Sequence, residues 1–263
     1  MTLHIEVSGQ GPALVLIHGW ALNGGVFAPL IERLASHCTL YCVDLPGHGH
    51  SRDASTPLQL DACAHEILAQ VPAAIWLGWS LGGLFALRAA LLSENVQGLA
   101  LIAATPRFVR DHDWPHAVDS SVFQQFGEDL QRDYRGTLER FLALDTIGSS
   151  HAREELRSLR QTLHARGEPD AGALQQGLRL LEQSDLRADL ADLRVPSLWI
   201  SGQRDRLVSP AGMRDAAALA PWGHHQDIRG GGHAPFLGHA DEVSQELLAF
   251  MRTLHPDVLP NSA

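Results

Sequence analysis

The chain has 263 residues, 45% of them hydrophobic, enough for one large α/β domain with an insertion and a real core. Its formal net charge of −10 argues against general nucleic-acid binding, and all 20 of its basic residues are arginine. Cys38, Cys42 and Cys63 form no CxxC pair and leave an odd count, so no disulfide framework is expected and a reducing cytoplasm is the natural compartment. The opening, MTLHIEVSGQGPALVLIHGW, has no basic region. Its apolar run Ala13–Ile17 is too short for a signal peptide or a membrane span.

Short apolar runs then alternate with helix-length segments. Strands are predicted at 3–7, 13–17, 39–43, 74–77, 98–103, 197–201 and 225–228. Helices are predicted at 81–92 and 242–254, among others. This alternation predicts an α/β fold, with a mostly parallel twisted sheet covered by helices on both faces. Between the fifth and sixth strands the alternation stops. Residues 107–193 hold no convincing strand run and read as helices at 137–144, 152–164 and 173–184. The expected organisation is a core of 1–106 and 194–255, a helical lid at 107–193, and a disordered tail at 256–263.

The chemistry begins at GWSLGG, 78–83. Ser80 lies between Gly78 and Gly82, directly after an apolar strand run, the setting of a nucleophile elbow. A serine hydroxyl needs a base, and the chain offers 15 histidines. His233 follows the last strand in RGGGHAPF, whereas the chief competitor, His18, ends the second strand. The base needs an orienting acid. Asp205 in SGQRDRLV lies just beyond the sixth strand and completes the order Ser80, Asp205, His233; Asp44 lies upstream of the serine and Asp227 inside the seventh strand. The oxyanion donors expected are the backbone N–H of Leu81 and that of Trp20 in HGWALN. HExxH, a βα-turn GxGxxG and GxxxxGK[ST] are all absent, so no metal site and no cofactor are expected.

With HGWALN, DLPGHGHS, GWSLGG, SGQRDRLV and GGGHAPF in order, the chain resembles the α/β-hydrolase superfamily over nearly its full length. Through HGWALN, GWSLGG and RFLALDTIG it is similar, more narrowly, to the bacterial pimeloyl-[acyl-carrier protein] methyl ester esterases of biotin synthesis. That resemblance implies an α/β-hydrolase fold and a serine carboxylesterase that frees methanol from a methyl-esterified pimeloyl chain on acyl carrier protein. It implies Ser80, Asp205 and His233 as the triad, with Trp20 and Leu81 against the substrate. Phe141, Leu142, Ala143, Leu144 and Asp145 match the family's substrate-contacting segment, where Asp145 departs from a glutamine. Arg140, Arg153 and Arg157 match arginines that contact the carrier protein, and a fourth such position is Gly136 here, next to Arg135. A cytoplasmic monomer is expected, with no nucleic-acid or membrane partner.

The residues support the carrier surface separately. Between 132 and 166 there are seven arginines against five acids, in a chain of net charge −10. Arg153, Arg157 and Arg160 share one helix face, where like charges cost about 0.2–0.5 kcal/mol per pair, so helix stability does not explain them. The bland alternative is a solvated face relieved by Glu154 and Glu155. Two other functions compete: a broad short-chain esterase or thioesterase with the same triad, and a hydrolase-fold ligand-binding module without turnover.

Overall fold

The structure is a computed structural model, and it describes residues 2–256, so that of the expected tail only Pro256 falls among the described residues. Seven strands, β1 (Ile5–Gly9), β2 (Ala13–Ile17), β3 (Thr39–Val43), β4 (Ala74–Trp79), β5 (Val96–Ile102), β6 (Ser197–Gly202) and β7 (Gly223–Ile228), form one sheet. Its order is β1-β3-β2-β4-β5-β6-β7, with β1 antiparallel to β3 and every other pairing parallel. The central strands β2, β4, β5 and β6 are almost wholly buried, which is why they read as unbroken apolar runs rather than alternating ones. The helices α1 (Ala28–Leu34), α2 (Leu60–Leu68) and α3 (Leu81–Leu92) belong to the first half of the chain. α2 packs against α3, and α1 against α10 (Ala240–Leu254) from the other end of the chain.

Between β5 and β6 run α4 (Ser120–Arg132), α5 (Tyr134–Thr146), α6 (Ala152–Ala165) and α7 (Ala171–Gln183). Aspartates cap three of them: Asp119 accepts from the Ser121 N–H, Asp133 from Gly136 and Asp170 from Ala173. The sequence reading did not name α4, although SSVFQQFGEDLQR buries Phe123 and Leu130 seven residues apart on one face. The helices α8 (Pro210–Leu219) and α9 (Pro235–Gly238) follow β6 and β7.

Strand boundaries differ from expectation where partners, not local pattern, set them, as at β7, which starts at Gly223 opposite Ser197 rather than at 225. β1 was expected at 3–7 but occupies Ile5–Gly9, where its antiparallel register pairs Ile5 with Val43 and Gly9 with Thr39. β5 starts at Val96 rather than 98, because Val96 meets Ala74 across a register shift. β4 continues past 77 to Trp79, straight into the turn that carries Ser80.

The strand order reverses at β2: β3 lies on one side of it and β4 on the other. In open α/β sheets the crevice at such a switch point, beyond the carboxyl ends of the strands, is where ligands bind. Parallel pairing of Ile17 with Gly78 brings the loops that follow β2 and β4 together. Gly82 makes that approach feasible, since a Cβ there would lie 2.1 Å from the Ile17 carbonyl oxygen. A methyl at Gly82 has no flexible neighbour to displace. Gly82→Ala is expected to destabilise the protein by about 3 kcal/mol, a fall of roughly 6–12 °C in Tm by calorimetry.

Candidate active site

Ser80 is the residue between β4 and α3, and its backbone sits at φ 53° and ψ −121°, a region that residues with a Cβ rarely adopt. Such a conformation costs of order 1–3 kcal/mol and persists only where its surroundings over-determine it. Here they do. The Ser80 N–H donates to the Ile102 carbonyl at 3.0 Å, and its own carbonyl accepts from the Gly83 N–H at 2.9 Å. Gly78 passes so close to α3 that a Cβ on it would lie 2.4 Å from the Gly82 carbonyl oxygen. The result is a serine hydroxyl aimed off the end of the sheet.

His233 and Asp205 reach it from the loops after β7 and β6. The Ser80 hydroxyl is 2.8 Å from His233 Nε2, and His233 Nδ1 is 2.8 Å from Asp205 Oδ2. A carboxylate can only accept, so Nδ1 carries the ring proton and Nε2 is left to accept from the serine. The other oxygen of Asp205 accepts backbone N–H groups of Leu207 at 2.8 Å and Val208 at 3.1 Å, which fix the carboxylate. The histidine is fixed at its backbone as well: its N–H donates to the Asp145 carbonyl, and its carbonyl accepts from the Trp79 indole. Burial presses the His233 pKa down, but the charge and hydrogen bond of Asp205 and the charge of Asp145 outweigh it and raise it above the usual histidine value.

The competing residues are committed elsewhere. His18 Nδ1 lies 2.8 Å from the Gly19 carbonyl and its Nε2 accepts from the Leu45 N–H, and burial drives its pKa down to about 3, so it stays neutral. Asp44 accepts from the Gly24 and His50 N–H groups and from Arg166. Asp227 accepts from Ser201 and Arg214.

At the start of α3 the Leu81 N–H has no helical partner, and among the described residues neither it nor the Trp20 N–H donates a hydrogen bond. Ala21, at φ 67°, turns the chain just after Trp20. The Trp20 indole donates to the Leu174 carbonyl on α7, and its ring lies 4.6 Å from that of Phe141 on α5. Gly177 gives the ring room, since a Cβ there would lie 2.7 Å from Trp20 and 3.2 Å from Leu81. Trp20, Leu81 and Phe141 thus share an apolar wall beneath the inserted helices. Leu142 is buried on α5, and Ala143 and Leu144 are half-buried there. Phe126, Leu174 and Gly177 were not singled out in the sequence, since their link to Trp20 spans more than a hundred residues and leaves no local signal.

The arginines separate into two kinds. Arg140 is held by Asp129 and Asp133, Arg135 by Glu168 and Arg160 by Glu139. Arg153 and Arg157 are exposed and form no ion pair among the described residues. Glu155 does not relieve them, because it turns inward, 1% exposed, and accepts from the Ser149 hydroxyl.

A hydroxyl bonded to an imidazole that a carboxylate orients, beside two free N–H groups, is equipped for acyl transfer without a cofactor. The fold and this linkage define a hydrolase of the α/β class, and residues 12–240 match the family model described as alpha/beta hydrolase fold. The chain belongs to that family. It is 67% identical over 252 residues to the curated "Pimeloyl-[acyl-carrier protein] methyl ester esterase" of Xanthomonas oryzae pv. oryzae, covering 96% of this chain and 100% of that one. To the protein of the same name from Stenotrophomonas maltophilia it is 65% identical over 97% of this chain and 98% of that one. Among solved structures, an esterase from Exiguobacterium antarcticum superposes with a TM-score of 0.86 at 23% identity, covering 95% of both chains, and shares the fold.

The hydrogen-bonded series makes two expectations measurable. Asp205→Asn is expected to keep the fold but lower ester turnover by about 10⁴-fold, by disturbing the histidine tautomer. Since a protonated His233 cannot act as base, kcat/KM is expected to fall on the acid side with an apparent pKa above the usual histidine value. Unchanged turnover in Asp205→Asn, with loss in Asp44→Asn or Asp227→Asn, would move the acid elsewhere.

Proposed function

We propose that this chain is a serine carboxylesterase that hydrolyses the methyl ester of pimeloyl-[acyl-carrier protein], releasing methanol and pimeloyl-[acyl-carrier protein] for biotin synthesis. The observation that carries this function is identity of 67% along the whole length of curated esterases with that substrate in their names. The linked Ser80, His233 and Asp205 supply the chemistry it requires.

In the first half-reaction Ser80 Oγ attacks the ester carbonyl carbon while His233 Nε2 takes the hydroxyl proton. The oxyanion is received by the N–H groups of Trp20 and Leu81. Collapse breaks the bond to the methoxy group, which leaves as methanol with the proton from His233. Water then attacks the acyl-enzyme with His233 again as base, and Ser80 recovers its proton as the carboxylic acid departs. Asp205 stays ionised and supports the imidazolium in both halves. Trp20, Leu81 and the stretch Phe141 to Leu144 hold the acyl chain, Asp145 at its end being buried against the histidine loop, and the helices of 107–193 act as the lid that keeps bulk water from it.

The carrier protein is acidic, and this chain meets it with Arg140, Arg153 and Arg157. Arg153 and Arg157 have no ion-pair partner to give up among the described residues, so their charge is free to steer encounter. The enzyme is proposed to work as a monomer in the cytoplasm; among the described residues no helix is long and apolar enough to cross a membrane.

Ser80→Ala is expected to abolish labelling by a fluorophosphonate and to lower turnover on the order of 10⁴-fold or more. Labelling of the folded variant at the wild-type level would remove the serine mechanism. Arg153→Glu combined with Arg157→Glu is expected to raise KM for the carrier-bound methyl ester at least tenfold, ~1.4 kcal/mol of binding. Hydrolysis of a small soluble ester should stay within about twofold of wild type, and only the carrier reaction should weaken with added salt. Equal losses on both substrates would trace the effect to the lid rather than to docking.

A further inference from the structure

Asp145 is wholly buried at the carboxyl end of α5, and neither of its carboxyl oxygens has a hydrogen-bond partner among the described residues. It is an unusual neighbour for a catalytic histidine. Its backbone carbonyl receives the His233 N–H at 3.1 Å, and a Cβ on Gly232 would lie 3.3 Å from that carbonyl oxygen. The turn after α5 closes on the same loop, where the Ser150 N–H donates to the Gly230 carbonyl at 3.0 Å. The histidine loop and the carboxyl end of α5 therefore form one packed unit.

Two buried carboxyls act on His233, Asp205 through a hydrogen bond and Asp145 through its charge from the helix end that receives the His233 N–H, and their surroundings differ. Asp205 has the ring N–H and two backbone N–H donors, so its charge is well supported. Asp145 has none. A buried carboxylate with no donor is expensive, and its one source of compensation is a nearby positive charge. Burial raises the Asp145 pKa to about 7, with Asp205 and Glu155 pushing the same way and His233 opposing. Glu155, on α6, is also raised by burial, while His151 and His239 meet edge to face beyond it and Arg204 donates to the Gly148 carbonyl at the turn. Among these groups His233 is the one that gains a positive charge in the reaction, when it takes the serine proton.

We propose that Asp145 is a positioning residue of the triad, a second carboxyl whose negative charge stabilises the imidazolium of His233 as it forms and thereby sets the lower pH limit of hydrolysis. This rests on the reading of His233 as the base. At low pH both groups hold their protons. As pH rises Asp145 ionises against the imidazolium, and the resulting pair holds the histidine proton to higher pH than Asp205 alone would. Above that limit the same charge lowers the barrier, because the transition state again contains an imidazolium. One charge therefore raises the acid limb and the plateau together.

The test is kcat/KM for p-nitrophenyl acetate as a function of pH, in wild type, Asp145→Asn and Glu154→Gln, an exposed carboxylate that serves as control. Asp145→Asn is expected to move the acid limb down by roughly half a pH unit or more and to lower the plateau about threefold, since both effects report one interaction with the imidazolium. Glu154→Gln should move neither. A lower plateau with an unmoved acid limb would overturn the proposal and leave Asp145 a packing residue. Should Asp145→Asn fail to fold, ¹⁵N NMR of the His233 ring in the wild-type protein decides. Two inflections are expected there, from the histidine and the adjacent carboxyl, and a single step would overturn the proposal. Fluorophosphonate labelling of the same samples separates the two levels: a variant that labels normally with an unmoved limb sinks only the role of Asp145. Labelling that survives Ser80→Ala sinks the serine mechanism beneath it.

Discussion

The backbone of Ser80 is the constraint on which the rest of the structure depends. Holding a residue with a Cβ at φ 53° and ψ −121° requires tight surroundings, and the chain supplies them with glycines at 78, 82 and 83 and a hydrogen bond to β5. Because β4 pairs in parallel with β2, the strained turn lies beside the loop that carries Trp20. Because β4 also pairs with β5, and the sheet continues through β6 to β7, the loops bearing Asp205 and His233 emerge at the same end. The linked side chains are spread over more than 150 residues of sequence, and the carboxyl end of one sheet collects them.

Around the histidine the protein uses charge unequally. Asp205 is surrounded by donors and Asp145 by none, so the two buried carboxyls that act on one histidine stand in different surroundings. The inserted helices belong to this arrangement. α5 meets the His233 N–H with the Asp145 carbonyl and Trp20 with Phe141, and α7 accepts the hydrogen bond of the Trp20 indole, so the inserted helices and the loops bearing Trp20 and His233 share their contacts. A shift of α5 would be felt at His233 and at Trp20 together.

The electrostatics of the surface follow a similar pattern. Most arginines of the insertion are neutralised by a partner: Arg140, Arg135 and Arg160 each meet an acid, and Arg166 bridges the buried Asp44 and the exposed Glu6. These pairs tie helices to one another. Arg153 and Arg157 are left to face solvent, with Glu155 turned inward beneath them, so the exposed face of α6 is more positive than its composition implies.

The sequence by itself determined the sheet order of chemistry: apolar runs marked the central strands, and GWSLGG, SGQRDRLV and GGGHAPF put a serine, an acid and a histidine after three of them. Those features are local, since a buried parallel strand must be apolar along its length and a sharp turn must carry glycine. Other features were decided only by tertiary structure. The limits of β1 and β5 follow their partners' registers, and α4 emerges as a helix packed on α5 and α7. Which of 15 histidines and which acids carry the charge was settled by which side chains met: His18 and Asp44 found backbone partners, while Asp205 found His233. Asp145 shows the division most plainly. In the sequence it stands out only as a departure from a glutamine in the segment expected to contact substrate, and only folding removes its water, withholds every donor and sets it against the histidine loop. Burial and charge proximity are properties of where residues end up, and no local pattern encodes them.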